Sequence, residues 1–247
     1  FGKFYSDIHS LGDALKYYNI ALDLIKANSL FERYRSNVLI NIGSLYAGED
    51  EYKIALEYNQ RAYEIATKEG TCTDCIVVSA ENIADCHNNL GNYTQARKYL
   101  DDVKDLEMEN TKRQAWKINY AESFLKEGRV KEAEEMMKGV LDNLDSNNDN
   151  IYYIAVVKLL SQINQSKGNV KAATRFAING LKTSRSIKST AEIYELLSHI
   201  YFEDRQYEKA IIYKDSLLIA QDSISNSVNN SLYSINKVKL KIQDYQT

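Results

Sequence analysis

The sequence contains no proline and only 10 glycines among its 247 residues. Average usage would supply about 12 prolines and about 17 glycines. Sandwiches and barrels of β-strands need these residues for their many turns, so the composition disfavours both folds. It also excludes collagen-like chains and proline-rich linkers. Long helices joined by short polar turns are the architecture that remains.

A strong charge of one sign and long apolar runs are also missing. The 31 basic and 34 acidic residues give a formal net charge of −3, without the basic excess expected for binding a nucleic-acid backbone. The longest unbroken apolar stretch is 151–157, far short of the roughly 20 residues of a membrane-spanning helix. Because residue 1 is Phe rather than Met, we expect a processed product or part of a longer protein. The missing signal peptide therefore does not identify the compartment.

What the sequence does contain is an internal repeat built around six alanines. Each alanine follows a small turn residue or an aromatic residue, and apolar residues follow it at helical spacing. These anchor alanines are Ala14, Ala55, Ala96, Ala133, Ala173 and Ala210. They are separated by 41, 41, 37, 40 and 37 residues. A period near 40 with helical spacing on both sides of a turn predicts stacked helical hairpins.

A second predicted helix precedes each anchor alanine. A small residue stands 12 positions before the alanine and lets the two helices of a hairpin pack closely, while bulky residues stand on either side of it. The small residues are Gly2, Gly43, Ala84, Ala121, Ser161 and Ser198. Since the first of them is residue 2, we expect the chain to begin within the first helix of its first hairpin.

The hairpin pattern resembles the tetratricopeptide repeat family, whose unit carries the signatures L-G-x-x-Y and G-x-Y-x-x-A-x-x-x-Y-x-x-A. In this sequence Gly91, Tyr93 and Ala96 match the second signature, and Tyr99 lies one residue before the place of its second tyrosine. The resemblance covers 1–221 and implies an all-α, right-handed superhelical solenoid of about six helical hairpins. The period exceeds the family's usual repeat of about 34 residues, and the proline that normally ends the second helix is absent. Both departures imply longer helices or loops.

The last segment, 222–247, is predicted to be one amphipathic helix. Its apolar residues recur at steps of 4, 4, 3, 3, 4 and 3. They are Ile224, Val228, Leu232, Ile235, Val238, Ile242 and Tyr245. Because a terminal repeat needs a polar outer face, we expect this helix to cap the repeat array or to form a junction, rather than to be a free tail.

The stretch from Tyr213 to Ile224 also resembles the tetratricopeptide arrays of Bacteroidetes sensor and regulator proteins. In that group the array precedes a membrane helix and an output domain. The resemblance implies the sensory or interaction region of a larger bacterial signalling protein, with membrane contact only through segments outside this chain. It favours an extracytoplasmic (periplasmic) location over a cytoplasmic one. The alternative is a self-contained cytoplasmic regulator that binds a signalling peptide.

The sequence shows no recognisable catalytic apparatus. It has no nucleophile elbow and no glycine-rich phosphate loop, and no two of its histidines share a helix turn. Its many carboxylates follow patterns typical of a solvated helix face. We therefore expect a protein that is not an enzyme and has no cofactor.

The three cysteines are the strongest candidates for metal ligands. Cys72 and Cys75 form a CxxC, and Cys86 with His87 follows on a predicted helix. Neighbouring residues of a helix point about 100° apart, so at most one of the latter pair faces the CxxC. We expect no metal site, with Cys72, Cys75 and Cys86 as a weak zinc alternative. Buried or loop cysteines, or a Cys72–Cys75 disulfide, are the favoured interpretations.

The best candidates for function are Asn41, Asn82 and Asn119, which stand 14 residues before three successive anchor alanines. The resemblance implies that this position faces a concave groove, where an amide both donates to and accepts from the backbone of an extended peptide. An equally open interpretation is that these amides only bond neighbouring helices.

Acidic residues flank the three asparagines and would set the charge of such a groove. They are Glu81, Asp85 and Glu122. The basic residues with which the family clamps an acidic C-terminus are missing from the neighbouring positions. The sequence therefore predicts a neutral to acidic groove that binds a protein or an extended peptide, and no nucleic acid.

Overall fold

The computed structural model describes residues 11–70, 72–144, 151–184 and 186–244, with side chains in the last helix as far as Asn226. These residues form eleven α-helices and two short 3-10 helices, with no strand among them. The α-helices are α1 (Leu11–Ala27), α2 (Arg35–Gly48), α3 (Tyr52–Glu69), α4 (Thr73–Asn89), α5 (Tyr93–Val103), α6 (Asn110–Lys126), α7 (Val130–Met137), α8 (Ile151–Ser166), α9 (Val170–Thr183), α10 (Ile187–Glu203) and α11 (Tyr207–Asp244). The 3-10 helices are Ser29–Tyr34 and Leu141–Asn143.

This architecture confirms the predicted all-α helical-repeat fold over the described residues. The expectation that the chain begins within a first helix falls on residues 1–10, which lie outside them.

From Ala55 onward, the anchor alanines lie where the two helices of a hairpin meet. Five of the six are completely buried, and Ala210 is only 5% exposed. The small residue before them allows a close approach, as predicted. A Cβ added to Gly43 on α2 would lie 2.4 Å from Nδ2 of Asn59 on α3. No larger side chain fits at residue 43 unless Asn59 moves. The small residue 12 positions before the anchor alanine therefore allows the two helices of this hairpin to pack closely.

One type of turn joins the two helices of a hairpin. At Gly91 the φ angle is +78°, a left-handed conformation that glycine adopts without a steric penalty. The backbone N–H of Asn92 then donates to the carbonyl of His87 at 2.8 Å and satisfies the end of α4. Asp50 and Arg205 occupy the same place in two other hairpins, each with a φ of +60°.

The described chain divides into two compact units, 11–144 and 151–244. In the first unit the hairpins are α2/α3, α4/α5 and α6/α7, and the first helices α2, α4 and α6 are successive neighbours. In the second unit the hairpins are α8/α9 and α10/α11, and α8 contacts α10. First helices therefore lie side by side within each unit, and the three predicted asparagines all fall in the first unit.

The last helix, α11, runs without a break from Tyr207 to Asp244. Its buried residues Leu217 and Ala220 pack with Ala191 of α10, and Ile224 extends that contact. Residue 222 thus lies within a helix that begins in the last hairpin, and the capping or junction role of 222–247 stays a prediction. Among the helices that the structure describes, none is both long and apolar enough to cross a bilayer.

Candidate functional site

The three predicted asparagines lie on three consecutive first helices of the first unit. Asn41 is on α2, Asn82 on α4 and Asn119 on α6. The side chain of Asn41 is exposed, whereas those of Asn82 and Asn119 are half-buried. Because α4 contacts both α2 and α6, the fold places Asn82 on the helix between the other two.

Asn82 is held by a hydrogen-bond network that joins three helices. Its Nδ2 donates to Ser44 Oγ on α2 at 3.3 Å and to Asn59 Oδ1 on α3 at 3.2 Å. Asn59 is completely buried, and its own Nδ2 donates to the Ala55 carbonyl at 2.9 Å. The donor side of Asn82 therefore bonds neighbouring helices, while its Oδ1 accepts no hydrogen bond within the described residues.

Asn59 is a residue that the sequence patterns did not single out. It stands four residues after the anchor Ala55, at a place where two other repeats have Leu100 and Met137. Four of the other five repeats have an apolar or aromatic residue at this position, and the last repeat has Lys214, so a polar residue there was the available signal. In the structure Asn59 fixes the orientation of Asn82, so it belongs to the candidate site.

The outer two asparagines keep their amides unbonded within the described residues. Asn41 makes no side-chain hydrogen bond there. The backbone carbonyl of Asn119 accepts a hydrogen bond from Asn88 Nδ2 at 3.2 Å. The side-chain amide of Asn119 makes no hydrogen bond to the described residues. Two of the three amides are thus available to a ligand as both donors and acceptors.

The acidic residues form a chain of contacts between α4 and α6. Asn89 Nδ2 donates to Asp85 Oδ1 at 3.1 Å, and Lys126 Nζ lies 2.9 Å from Asn89 Oδ1 and 3.0 Å from Glu122 Oε1. Burial and the nearby charge of Glu122 raise the pKa of Asp85 to about 6, although Lys126 and Asn89 oppose that shift. Lys126, which the sequence patterns did not single out, compensates part of the predicted negative charge.

Glu81, one helical turn before Asp85 on the same face of α4, has a more unusual environment. Only 8% of the residue is exposed, and its Oε1 has no hydrogen-bond partner. Burial raises the pKa of its carboxyl group to about 7, while the charge of Lys112 opposes the shift. Lys112 is itself paired with Asp74, at 2.5 Å. The site therefore contains a buried carboxyl group with one oxygen, Glu81 Oε1, that forms no hydrogen bond with the described residues.

The cysteine pair adopts one of the alternatives that the sequence left open. Cys72 and Cys75 form a disulfide at the N-terminus of α4, where the backbone N–H of Cys75 donates to Cys72 Sγ at 3.1 Å. Cys86 is buried apart from them, and burial with the charge of Asp85 raises the pKa of its thiol to about 12. Among the described residues, no three His, Cys, Asp or Glu side chains are grouped as a metal site requires.

Comparison with known proteins finds a family model and solved structures that are similar to this chain. Residues 79–107, from the middle of α4 through α5, match the family model of the tetratricopeptide repeat. Together with the structural similarities, this match confirms the resemblance that the sequence patterns predicted. At the level of sequence, no curated protein matches the chain.

Solved structures share the arrangement of helices at low sequence identity. The chain is similar to the apo form of the quorum sensor NprR from B. thuringiensis, with 15% identity and a TM-score of 0.68 over 94% of this chain and 66% of that one. The Rap protein complexed with Competence and Sporulation Factor has 16% identity and a TM-score of 0.65, and the match covers 92% of this chain and 74% of that one. BtubC from P. vanneervenii has 14% sequence identity and a TM-score of 0.62, and the match covers 87% of this chain and 91% of that one. Identities of this size show the fold alone.

Proposed function

We propose that this tetratricopeptide repeat array is a non-catalytic scaffold that binds an extended peptide or protein segment along the first helices of its first unit. The observation that carries the proposal is the placement of Asn41, Asn82 and Asn119 on three consecutive first helices. Two of these amides have no hydrogen-bond partner in the described part of the chain, and the central one keeps a free acceptor. An extended backbone offers the alternating donors and acceptors that such a row matches.

The three asparagines contribute in different ways. Asn41 and Asn119 offer a donor and an acceptor each, whereas Asn82 offers its Oδ1 to a backbone N–H because Ser44 and Asn59 occupy its Nδ2. Each hydrogen bond to the ligand contributes about 0.5–1.5 kcal/mol net. Asn82 is thus a ligand contact and a fixed part of the groove at the same time.

The charges of the site favour neutral or basic ligands. Glu81, Asp85 and Glu122 supply three carboxyl groups, while Lys126 is engaged with Glu122 and Lys112 with Asp74. An acidic peptide would meet these carboxyl groups while Lys112 and Lys126 are already paired, and like-charge juxtaposition is unfavourable. Specificity would then depend on side-chain pockets and on this preference of charge.

The wider role is the sensory or interaction region of a larger bacterial signalling or regulatory protein, in an extracytoplasmic (periplasmic) location. In this role the array has no cofactor, binds no nucleic acid, and contacts a membrane only through segments outside this chain. The alternative, a self-contained cytoplasmic regulator that binds a signalling peptide, is supported by the likeness to a quorum sensor and to a Rap protein solved with Competence and Sporulation Factor.

A peptide-library screen followed by titration of alanine variants tests the proposal. We expect the hits to be neutral or basic, and Asn41→Ala, Asn82→Ala and Asn119→Ala each to weaken binding several-fold, with the central Asn82 having the largest effect. Asn179→Ala, an exposed asparagine on the second helix α9, is the matched control. Asn82→Ala also removes bonds inside the protein, so its thermal unfolding must be measured alongside. Binding that persists in all three variants, or hits that are mainly acidic, would contradict the proposal.

A further inference from the structure

The last hairpin presents an open groove between α10 and α11, with a volume of about 450 Å³. Its walls are formed by Glu195, His199 and Phe202 of α10 and by Tyr207, Ile211 and Lys214 of α11. The side chains of Phe202, Tyr207 and Ile211 are each more than half exposed. Large apolar side chains exposed next to one another mark an interaction surface.

The equivalent groove one repeat earlier is filled, and it shows what such a surface accepts. There α10 packs on the hairpin α8/α9, and Ala177 of α9 joins Ile193 and Leu196 of α10 in one buried cluster. Lys158 on α8 forms an ion pair with Glu192 on α10, with Nζ and Oε2 2.7 Å apart. The occupant of this groove is therefore a helix with an apolar stripe and a charge opposite to that of the hairpin's first helix.

The repeat aligns the two grooves residue by residue. The anchors Ala173 and Ala210 are 37 residues apart, so Glu195 takes the place of Lys158. By the same offset, Leu218 takes the place of Leu181, which packs against the buried cluster between α9 and α10. The charge of the first helix is reversed in the last hairpin. A helix that fills the last groove therefore needs apolar residues and a basic residue facing Glu195.

The helix α11 has this pattern on its own exposed face. Tyr207, Ile211, Lys214 and Leu218 recur at steps of 4, 3 and 4, which place them on one side of a helix. Lys214 thus lies within an otherwise apolar stripe. In the described part of the chain, neither Lys214 nor Glu195 forms an ion pair, although both line the groove.

We propose that two copies of this chain form a two-fold dimer in which α11 of each copy lies in the α10/α11 groove of the other. Lys214 of one copy pairs with Glu195 of the second, and the apolar side chains of the stripe cover one another. In a two-fold interface each contact occurs twice. One groove and one stripe on the same surface are therefore sufficient, because each copy supplies both and the dimer leaves neither unpaired. This inference does not depend on peptide binding in the first unit.

Sedimentation equilibrium and light scattering of the 247-residue chain over a range of concentrations test the dimer. We expect Lys214→Glu and Glu195→Lys each to weaken dimerisation at least about tenfold because they place like charges together. The combined variant restores opposite charges, and its dimerisation should return to within about threefold of the wild type. A chain that stays monomeric throughout, or a double variant no better than the single ones, would overturn the proposal.

Two adjacent isoleucines provide a matched pair of variants. Ile211 and Ile212 are both 61% exposed, but neighbouring residues on a helix lie about 100° apart, and only Ile211 belongs to the stripe. Ile211→Arg should abolish the dimer, whereas Ile212→Arg should leave it intact. Circular dichroism spectra of both variants at room temperature should match that of the wild type, which shows that each folds. Equal loss of dimer in both variants, or open chains longer than dimers, would contradict the two-fold contact.

Discussion

Glu81 combines burial, an unpartnered oxygen and a central place on α4 in a single residue. A buried polar atom without a hydrogen bond costs free energy, and an ionised one costs more. Such a group is tolerated in the protonated form, or when a ligand supplies the missing donor. If a basic ligand binds in the proposed groove, it should favour the ionised forms of Glu81 and of Asp85 one turn away, and binding should then depend on their protonation.

This environment predicts how stability depends on pH. The pKa of Glu81 is raised from its ordinary value of 4.5 to about 7 in the folded protein, so folding favours the protonated form. The resulting stabilisation is fully present below pH 4.5 and is lost as the pH rises through 7; Asp85, with a pKa of about 6, acts in the same direction. Glu81→Gln should therefore raise the free energy of unfolding at pH 8 by roughly 1–3 kcal/mol, with little change near pH 4.5.

Urea unfolding at the two pH values measures this difference. Glu57→Gln, at an exposed position on α3, is the control and should leave the pH profile unchanged. If Glu81→Gln destabilised the protein equally at both pH values, the carboxyl group would be serving as an ionised partner in the fold, contrary to this account.

At the scale of the helical element, the contact between α2 and α3 links packing to the candidate site. Gly43 allows α3 to approach so closely that Asn59 reaches Asn82 on the next hairpin. Stability and groove geometry thus depend on the same close approach. A change that separates α2 from α3 acts on the asparagine row even though it touches no ligand.

Gly43→Ala should destabilise the protein by about 1–3 kcal/mol, because the added Cβ would lie 2.4 Å from Asn59 Nδ2. Gly48→Ala in the same helix is the matched control, since no atom lies within 4 Å of its added Cβ. Combining Gly43→Ala with Asn59→Ala should recover part of the loss by removing the clashing amide. Thermal melts of the four proteins measure this, and a Gly43→Ala variant as stable as Gly48→Ala would show that the close approach is unimportant.

The helical elements were predictable because their determinants are local. Anchor alanines such as Ala96, the helical spacing around them and the turn at Gly91 all lie within one repeat, and all have the predicted roles. The partners of Asn82 were not predictable in this way. Ser44 and Asn59 are 38 and 23 residues away, and which side chains meet across hairpins depends on how closely the helices approach.

The candidate site was predictable only in part for the same reason. The 14-residue offset places Asn41, Asn82 and Asn119 on successive first helices, but no pattern in the sequence indicates that Glu81 loses its contact with water. Nor does spacing decide between a metal site, free thiols and a disulfide for the CxxC, because all three accept two cysteines at that separation.

For the whole molecule, the two units have separate proposed roles: the first carries the peptide groove, and the second carries the groove that a further copy occupies. The long helix α11 belongs to the second unit, and its last contact with α10 that the structure describes is made by Ile224. The segment for which the sequence predicts a capping or junction role, 222–247, includes this contact and continues beyond it.

Truncation tests that role. A chain ending at Asp222 loses Ile224 and should have a lower melting temperature and a greater tendency to aggregate, because Ala191 and Ala220 lose part of their cover. A chain ending at Asn226 keeps the contact and serves as the matched control. If both truncated chains were as stable and as monodisperse as the full chain, the segment after 222 would have no capping role.

The proposed function requires an extended peptide to lie along α2, α4 and α6. Photo-cross-linking of the strongest library peptide, with mass spectrometry to identify the modified residues, tests it most directly. We expect cross-links close to Asn41, Asn82 and Asn119, which diminish when the unlabelled peptide competes. Cross-links confined to the second helices α3, α5 and α7, or to residues 151–244, would contradict it.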